Sequence, residues 1–115
     1  MKPEALRDMA VKALEDLKGV DIVTIDVRSL TDIADYMIIC TGRSTRQVKA
    51  LAENVAITAK EHKVSFVRSE GQETCEWILV DLGDVIIHVM LQATRAFYSL
   101  EDLWEPVKDL REQNQ

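Results

Sequence analysis

The sequence predicts an α/β fold, a two-layer sandwich with two long helices on one face of a mixed sheet of about five strands. Three observations carry this expectation. Two segments space their apolar residues at steps of three and four, as a helix with one buried stripe does. About five short runs are rich in β-branched and other apolar residues. A Leu-Gly pair between two of those runs marks a hairpin, so at least one strand pair is antiparallel.

The elements follow in order. Over residues 3–18, Leu6, Met9, Ala10, Ala13, Leu14 and Leu17 make one stripe, with Pro3 suited to the first turn and Gly19 to the stop. Residues 20–27 read as a strand, 29–35 as a polar connection, and 36–41 as a nearly continuous apolar strand suited to a central place. Ser44 is placed to cap a second helix, with Gln47 completing a capping box. Val48, Leu51, Ala52, Val55 and Ala59 supply its inner stripe to about residue 61. Residues 64–68 form a short third strand and 69–76 a polar loop. The second strand, helix and third strand suit a parallel crossover. Residues 77–81 and 84–90 form the hairpin around Leu82-Gly83. A short helix closes the domain, with Ser99 as its cap, Leu100, Leu103 and Trp104 inward, and Pro106 as its stop.

The 115 residues suit one domain, residues 1–106, followed by a polar tail at 107–115. With 47% hydrophobic and 30% charged residues, the composition is that of an ordinary globule. No apolar run approaches the roughly 18 to 20 residues of a membrane-spanning helix. The charged N-terminus lacks the apolar core of a signal peptide, so the expected location is cytoplasmic. A net charge of −6 fits a basic protein surface better than a phosphate backbone. Neither a membrane partner nor direct sequence-specific nucleic-acid binding is expected.

The hairpin sorts its side chains. With Leu82 and Gly83 as the loop, Trp77 lies opposite His88 and Val80 opposite Val85. One face then carries Ile78, Val80, Val85 and Ile87, which suits the layer under the helices. The other carries Trp77, Leu79, Asp81, Ile86, His88 and Met90. Two helices on the first face leave the second open as an interaction surface. The alternative is that the closing helix folds over it, leaving Trp77 in the core.

Catalytic chemistry is weakly supported. Asp81 and Asp84 bracket a turn, where Asp forms local hydrogen bonds, and His88 suits packing or contact better than metal ligation. Gly42-Arg43-Ser44 links a strand to a helix as a phosphate loop does. The later strand offers Val80-Asp81-Leu82 without the second carboxylate of a two-metal site. Cys40 reads as a small core residue and Cys75 as a free thiol, without metal-ligand spacing. No enzyme activity, cofactor or metal is expected.

Three stretches together resemble the ribosomal silencing factor family, also called Iojap-related: Asp35 through Ser44, Trp77 through Met90, and Arg95 through Trp104. The Trp-to-His hairpin and the final Tyr-x-Leu-Glu-x-Leu-Trp run are the specific parts. The resemblance implies a nucleotidyltransferase-like fold without transferase activity and a homodimer when unbound. It also implies that the partner is large-subunit ribosomal protein number fourteen, with binding there blocking the small subunit. Trp77, Asp81, His88 and Tyr98 carry over by motif as contacts, and Leu79, Ile86 and Met90 join them from the face argument. Arg95, Glu101 and Trp104 match the motif too, and packing and ion pairing suit them better than contact.

Overall fold

The structure, a computed structural model, describes the backbone of residues 1–104 and the side chains of 1–102. The side chains of Leu103 and Trp104, Pro106 and the tail at 107–115 lie outside the described residues. The elements run α1 (Pro3–Asp16), β1 (Val20–Asp26), β2 (Tyr36–Gly42), α2 (Thr45–Glu61), β3 (Arg68–Glu70), β4 (Trp77–Asp81), β5 (Val85–Leu91), α3 (Gln92–Tyr98) and α4 (Leu100–Trp104). The five strands lie in the order β1-β2-β5-β4-β3. Only β2 and β5 pair in parallel, so the sheet is mixed. The α/β sandwich is as expected.

Both long helices pack on one face, where Leu6, Ala10, Leu14, Val48, Leu51 and Val55 meet Ile38, Cys40, Ile78, Val80, Ile87 and Val89. All seven residues of β2 are buried, as its continuous apolar run requires. Ser44 Oγ accepts from the Gln47 N–H at 3.1 Å. The Gln47 side chain answers through the Arg43 N–H at 2.6 Å, one residue earlier than in a standard capping box.

Gly19 does not end α1 through its own backbone freedom. The left-handed residue is Lys18, at φ 60°, and the N–H of Gly19 returns to the Leu14 carbonyl at 2.9 Å. Glycine is needed at 19 for room, because a Cβ there would stand 2.5 Å from Cys40 Sγ.

Three local expectations are corrected. The third strand is Arg68–Glu70, not 64–68. Val64 and Val67 pack against the core instead, while the polar segment pairs as an edge strand through its backbone. β3 runs parallel to β2, but β5 and β4 lie between them. The hairpin register is also shifted: Trp77 lies opposite Met90, Leu79 opposite His88, and Asp81 opposite Ile86. Its tip is Gly83-Asp84, with the Leu82 N–H donating to the Val85 carbonyl at 2.9 Å and Gly83 at φ 87°. Each partner moved by two residues, so no side chain changed face. Finally, α3 precedes the expected closing helix. Ser99 is the left-handed C-cap of α3, and its hydroxyl donates to the Ala96 carbonyl at 3.0 Å.

Candidate functional site

The second face of the sheet is built from three rows of side chains across neighbouring strands. Thr41 of β2, Met90 of β5 and Trp77 of β4 form the first. Ile39, His88 and Leu79 form the second, and Met37, Ile86 and Asp81 the third. This is the face that the hairpin pattern set apart.

It is neither bare nor sealed. Val27 and Ala34, in the β1–β2 connection, pack with Met37, Ile39 and Met90, and Leu100 of α4 packs against the same cluster. Between the β1–β2 connection and the sheet runs an apolar groove of about 180 Å³, lined among others by Ile33, Met37, Leu79, Ile86 and His88. Trp77, Leu79, Asp81 and Ile86 are half-buried, so each keeps some surface. Tyr98 is 54% exposed. Two expected face residues lie deeper: His88 is 6% exposed and Met90 is completely buried. The cause is local cover: Met90 packs in the cluster with Val27, Ala34 and Leu100, and His88 stands beside Trp77 between Ile39 and Leu79.

Trp77, His88 and Tyr98 form one aromatic unit. The indole N–H of Trp77 donates to His88 Nδ1 at 2.9 Å, and the two rings lie 5.8 Å apart. With Nδ1 accepting, the neutral imidazole carries its proton on Nε2. Burial pushes the His88 pKa down to about 4. The Tyr98 ring lies 4.9 Å from the indole, tilted by 50°, and Phe97 meets Tyr98 edge-on at 5.0 Å.

Asp81 serves its turn, as its Oδ1 accepts from the Gly83 N–H at 2.8 Å. Among the described residues, no group of three or more His, Cys, Asp or Glu side chains converges as a metal site. At the Gly-Ser loop the N–H groups of Arg43 and Gln47 are already engaged, by the Gln47 side chain and the Ser44 hydroxyl. Val48 presses so closely on Gly42 that a Cβ there would meet it at 2.6 Å.

Two exposed apolar residues escaped the sequence argument. Ile33, 76% exposed, borders the groove from a segment read as a polar connection, and Phe97, 81% exposed, extends the aromatic unit. An isolated isoleucine among Thr, Asp and Ala was the available signal for the first. Phe97 lies inside the Arg95-to-Trp104 stretch, at a position given no role there.

The family model described as ribosomal silencing factor during starvation matches residues 1–115. The chain belongs to the ribosomal silencing factor family. A protein of Chromobacterium violaceum named ribosomal silencing factor RsfS is 50% identical over 104 residues, covering 90% of this chain and 85% of the relative. A crystal structure from the same organism superposes with a TM-score of 0.88 at 50% identity, over 90% of this chain and 87% of that one. More distant is a mouse protein named mitochondrial assembly of ribosomal large subunit protein 1. It is 36% identical over 100 residues, covering 84% of this chain and 44% of the mouse protein.

Proposed function

We propose that the protein down-regulates translation by binding the large ribosomal subunit through ribosomal protein number fourteen and sterically blocking subunit joining. The observation that carries the proposal is the apolar strip of Trp77, Leu79 and Ile86, left partly uncovered beside Tyr98 in a chain of this family. Membership supports the ribosome as target, and the name of the mouse relative favours the large subunit. The acidic net charge suits a basic ribosomal protein.

On this reading Trp77, Leu79, Ile86 and Tyr98 supply desolvated contact, and Asp81 adds charge at the rim. His88 and Met90 act from beneath, by holding the indole and filling the sheet surface. The mechanism is occupancy, with no bond made or broken, and its place of action is the cytoplasm. Adding the protein to large subunits before small ones should lower light scattering from joined ribosomes in proportion to occupancy. Adding it after joining should have little effect. Equal joining in all orders of addition sinks the proposal.

A second reading has its own support. The groove with Ile33, Phe97 and Tyr98 exposed around it also suits a second copy of the chain. Homodimerisation through this face would compete with the ribosome. Light scattering should then show Trp77→Ala to be monomeric at concentrations where the wild type is dimeric.

A further inference from the structure

We propose that Arg95 is a positioning residue that clasps α3 and α4 onto the open face of the sheet, setting Tyr98 against Trp77 before any partner arrives. The inference deepens the docking reading above and rests on it for its functional half.

The need for a clasp comes from α3 itself. Seven residues are too few for a helix to hold its own shape in water, and α3 has no buried residue to anchor it. Its side chains at 92, 93, 96, 97 and 98 are all exposed. A different kind of attachment is present. The Arg95 side chain is 11% exposed and its guanidinium reaches three separate elements. Nη1 donates to the Asp21 carbonyl of β1 at 2.7 Å and to Thr41 Oγ1 of β2 at 2.8 Å. Nε donates to Glu101 Oε1 of α4 at 2.8 Å.

The β1 acceptor is made available by an irregularity in the sheet. Val20 pairs with Thr41 and Val23 with Ile39, so β1 advances by one residue more than β2 and bulges between them. Asp21 lies in this bulge at φ 48°, a left-handed conformation that a non-glycine residue adopts at a cost. There its carbonyl receives Arg95. On β2, Thr41 lies in the same row as Met90 and Trp77, so the clasp closes over the end of the face that α3 and α4 cover.

The consequence is geometric. Arg95 and Tyr98 are three residues apart and share one side of the helix. Fixing the guanidinium on β1 and β2 therefore presents the Tyr98 ring to Trp77, at 4.9 Å. The Glu101 contact orients α4, whose Leu100 packs against the Met90 cluster. A preassembled aromatic pair spares the partner the cost of ordering it on binding.

Amide hydrogen exchange on the free protein tests the clasp without any ribosome. In Arg95→Ala, the amides of residues 95–99, which carry the hydrogen bonds of α3, should exchange at least about tenfold faster, while those of β2 and β5 keep their protection. Unchanged exchange in 95–99 overturns the inference. Should Arg95→Ala lose protection throughout, Glu101→Gln, which leaves the Asp21 and Thr41 bonds in place, must show a smaller acceleration confined to the same segment. Asp21→Asn should exchange like the wild type, because the acceptor is the main-chain carbonyl.

Cosedimentation with large subunits tests the functional half. Arg95→Ala should bind at least about tenfold more weakly, and Arg95→Lys should fall between, since an ammonium lacks the planar fork that reaches three acceptors. Wild-type binding by Arg95→Ala alongside lost binding by Trp77→Ala overturns the positioning role. Wild-type binding by Trp77→Ala overturns the docking face itself, whatever the exchange data show.

Discussion

Acidification should weaken the fold through His88, and by a calculable amount. Its imidazole is buried against Trp77, and burial lowers its pKa from about 6.5 to about 4. An unfolded chain takes up this proton near pH 6.5, whereas the folded one resists until about pH 4. The unfolded state thus binds more protons in between, and stability falls as pH falls. The contribution is fully present above about 6.5 and is lost progressively down to about 4. A gap of about 2.5 units at 1.36 kcal/mol each corresponds to roughly 3 kcal/mol. Urea unfolding followed by circular dichroism across this range, for the wild type and His88→Gln, isolates the effect. The Gln carbonyl oxygen can still accept the indole N–H, and the carboxylates titrate in both proteins. The wild-type advantage should shrink by about 3 kcal/mol from pH 7 to pH 4. Two stability curves that stay parallel refute the buried, neutral imidazole.

Other consequences are separable. Trp77→Phe removes the donor and leaves buried His88 Nδ1 unpaired, costing about 1–3 kcal/mol in the same unfolding assay. A loss near zero would mean that the hydrogen bond contributes nothing. Gly71→Ala and Gly83→Ala both place a side chain at positive φ, but a Cβ at 71 would lie 2.1 Å from the Trp77 carbonyl oxygen, while one at 83 meets nothing. Gly83→Ala should cost about 1 kcal/mol and Gly71→Ala clearly more, and equal melting temperatures would contradict the packing at 71. Cys75 should react with a thiol reagent well before Cys40, whose burial raises its pKa to about 11. Simultaneous release of both thiols in the native protein would place Cys40 outside the core.

The parts legible in the sequence were those governed by local period. The stripes of α1 and α2 and the alternation along β4 and β5 assigned side chains to the correct layers, except Leu17, which falls past the end of α1 and is exposed. The hairpin faces survived an error in register because the shift was even. β3 was misplaced because an edge strand pairs through its backbone, so Arg68-Ser69-Glu70 carries no apolar signature. α3 was missed for the same kind of reason: its polar hold on the sheet is one arginine reaching residues 74 and 54 positions away. Nor does periodicity reveal that Val27, Ala34 and Leu100 converge over Met90 from opposite ends of the chain. The seven expected contacts therefore split by depth, with Trp77, Leu79, Asp81, Ile86 and Tyr98 reaching the surface and His88 and Met90 lying under it.

The proposed function requires one physical event, the seating of this half-covered sheet face on the large subunit. Sedimenting pure protein with each isolated subunit, for the wild type and for Trp77→Ala, observes it directly. The wild type should pellet with large subunits and not with small ones, and a natively folded Trp77→Ala should stay in the supernatant. Wild-type protein that pellets with neither subunit, or a variant that pellets as well as the wild type, would contradict the account.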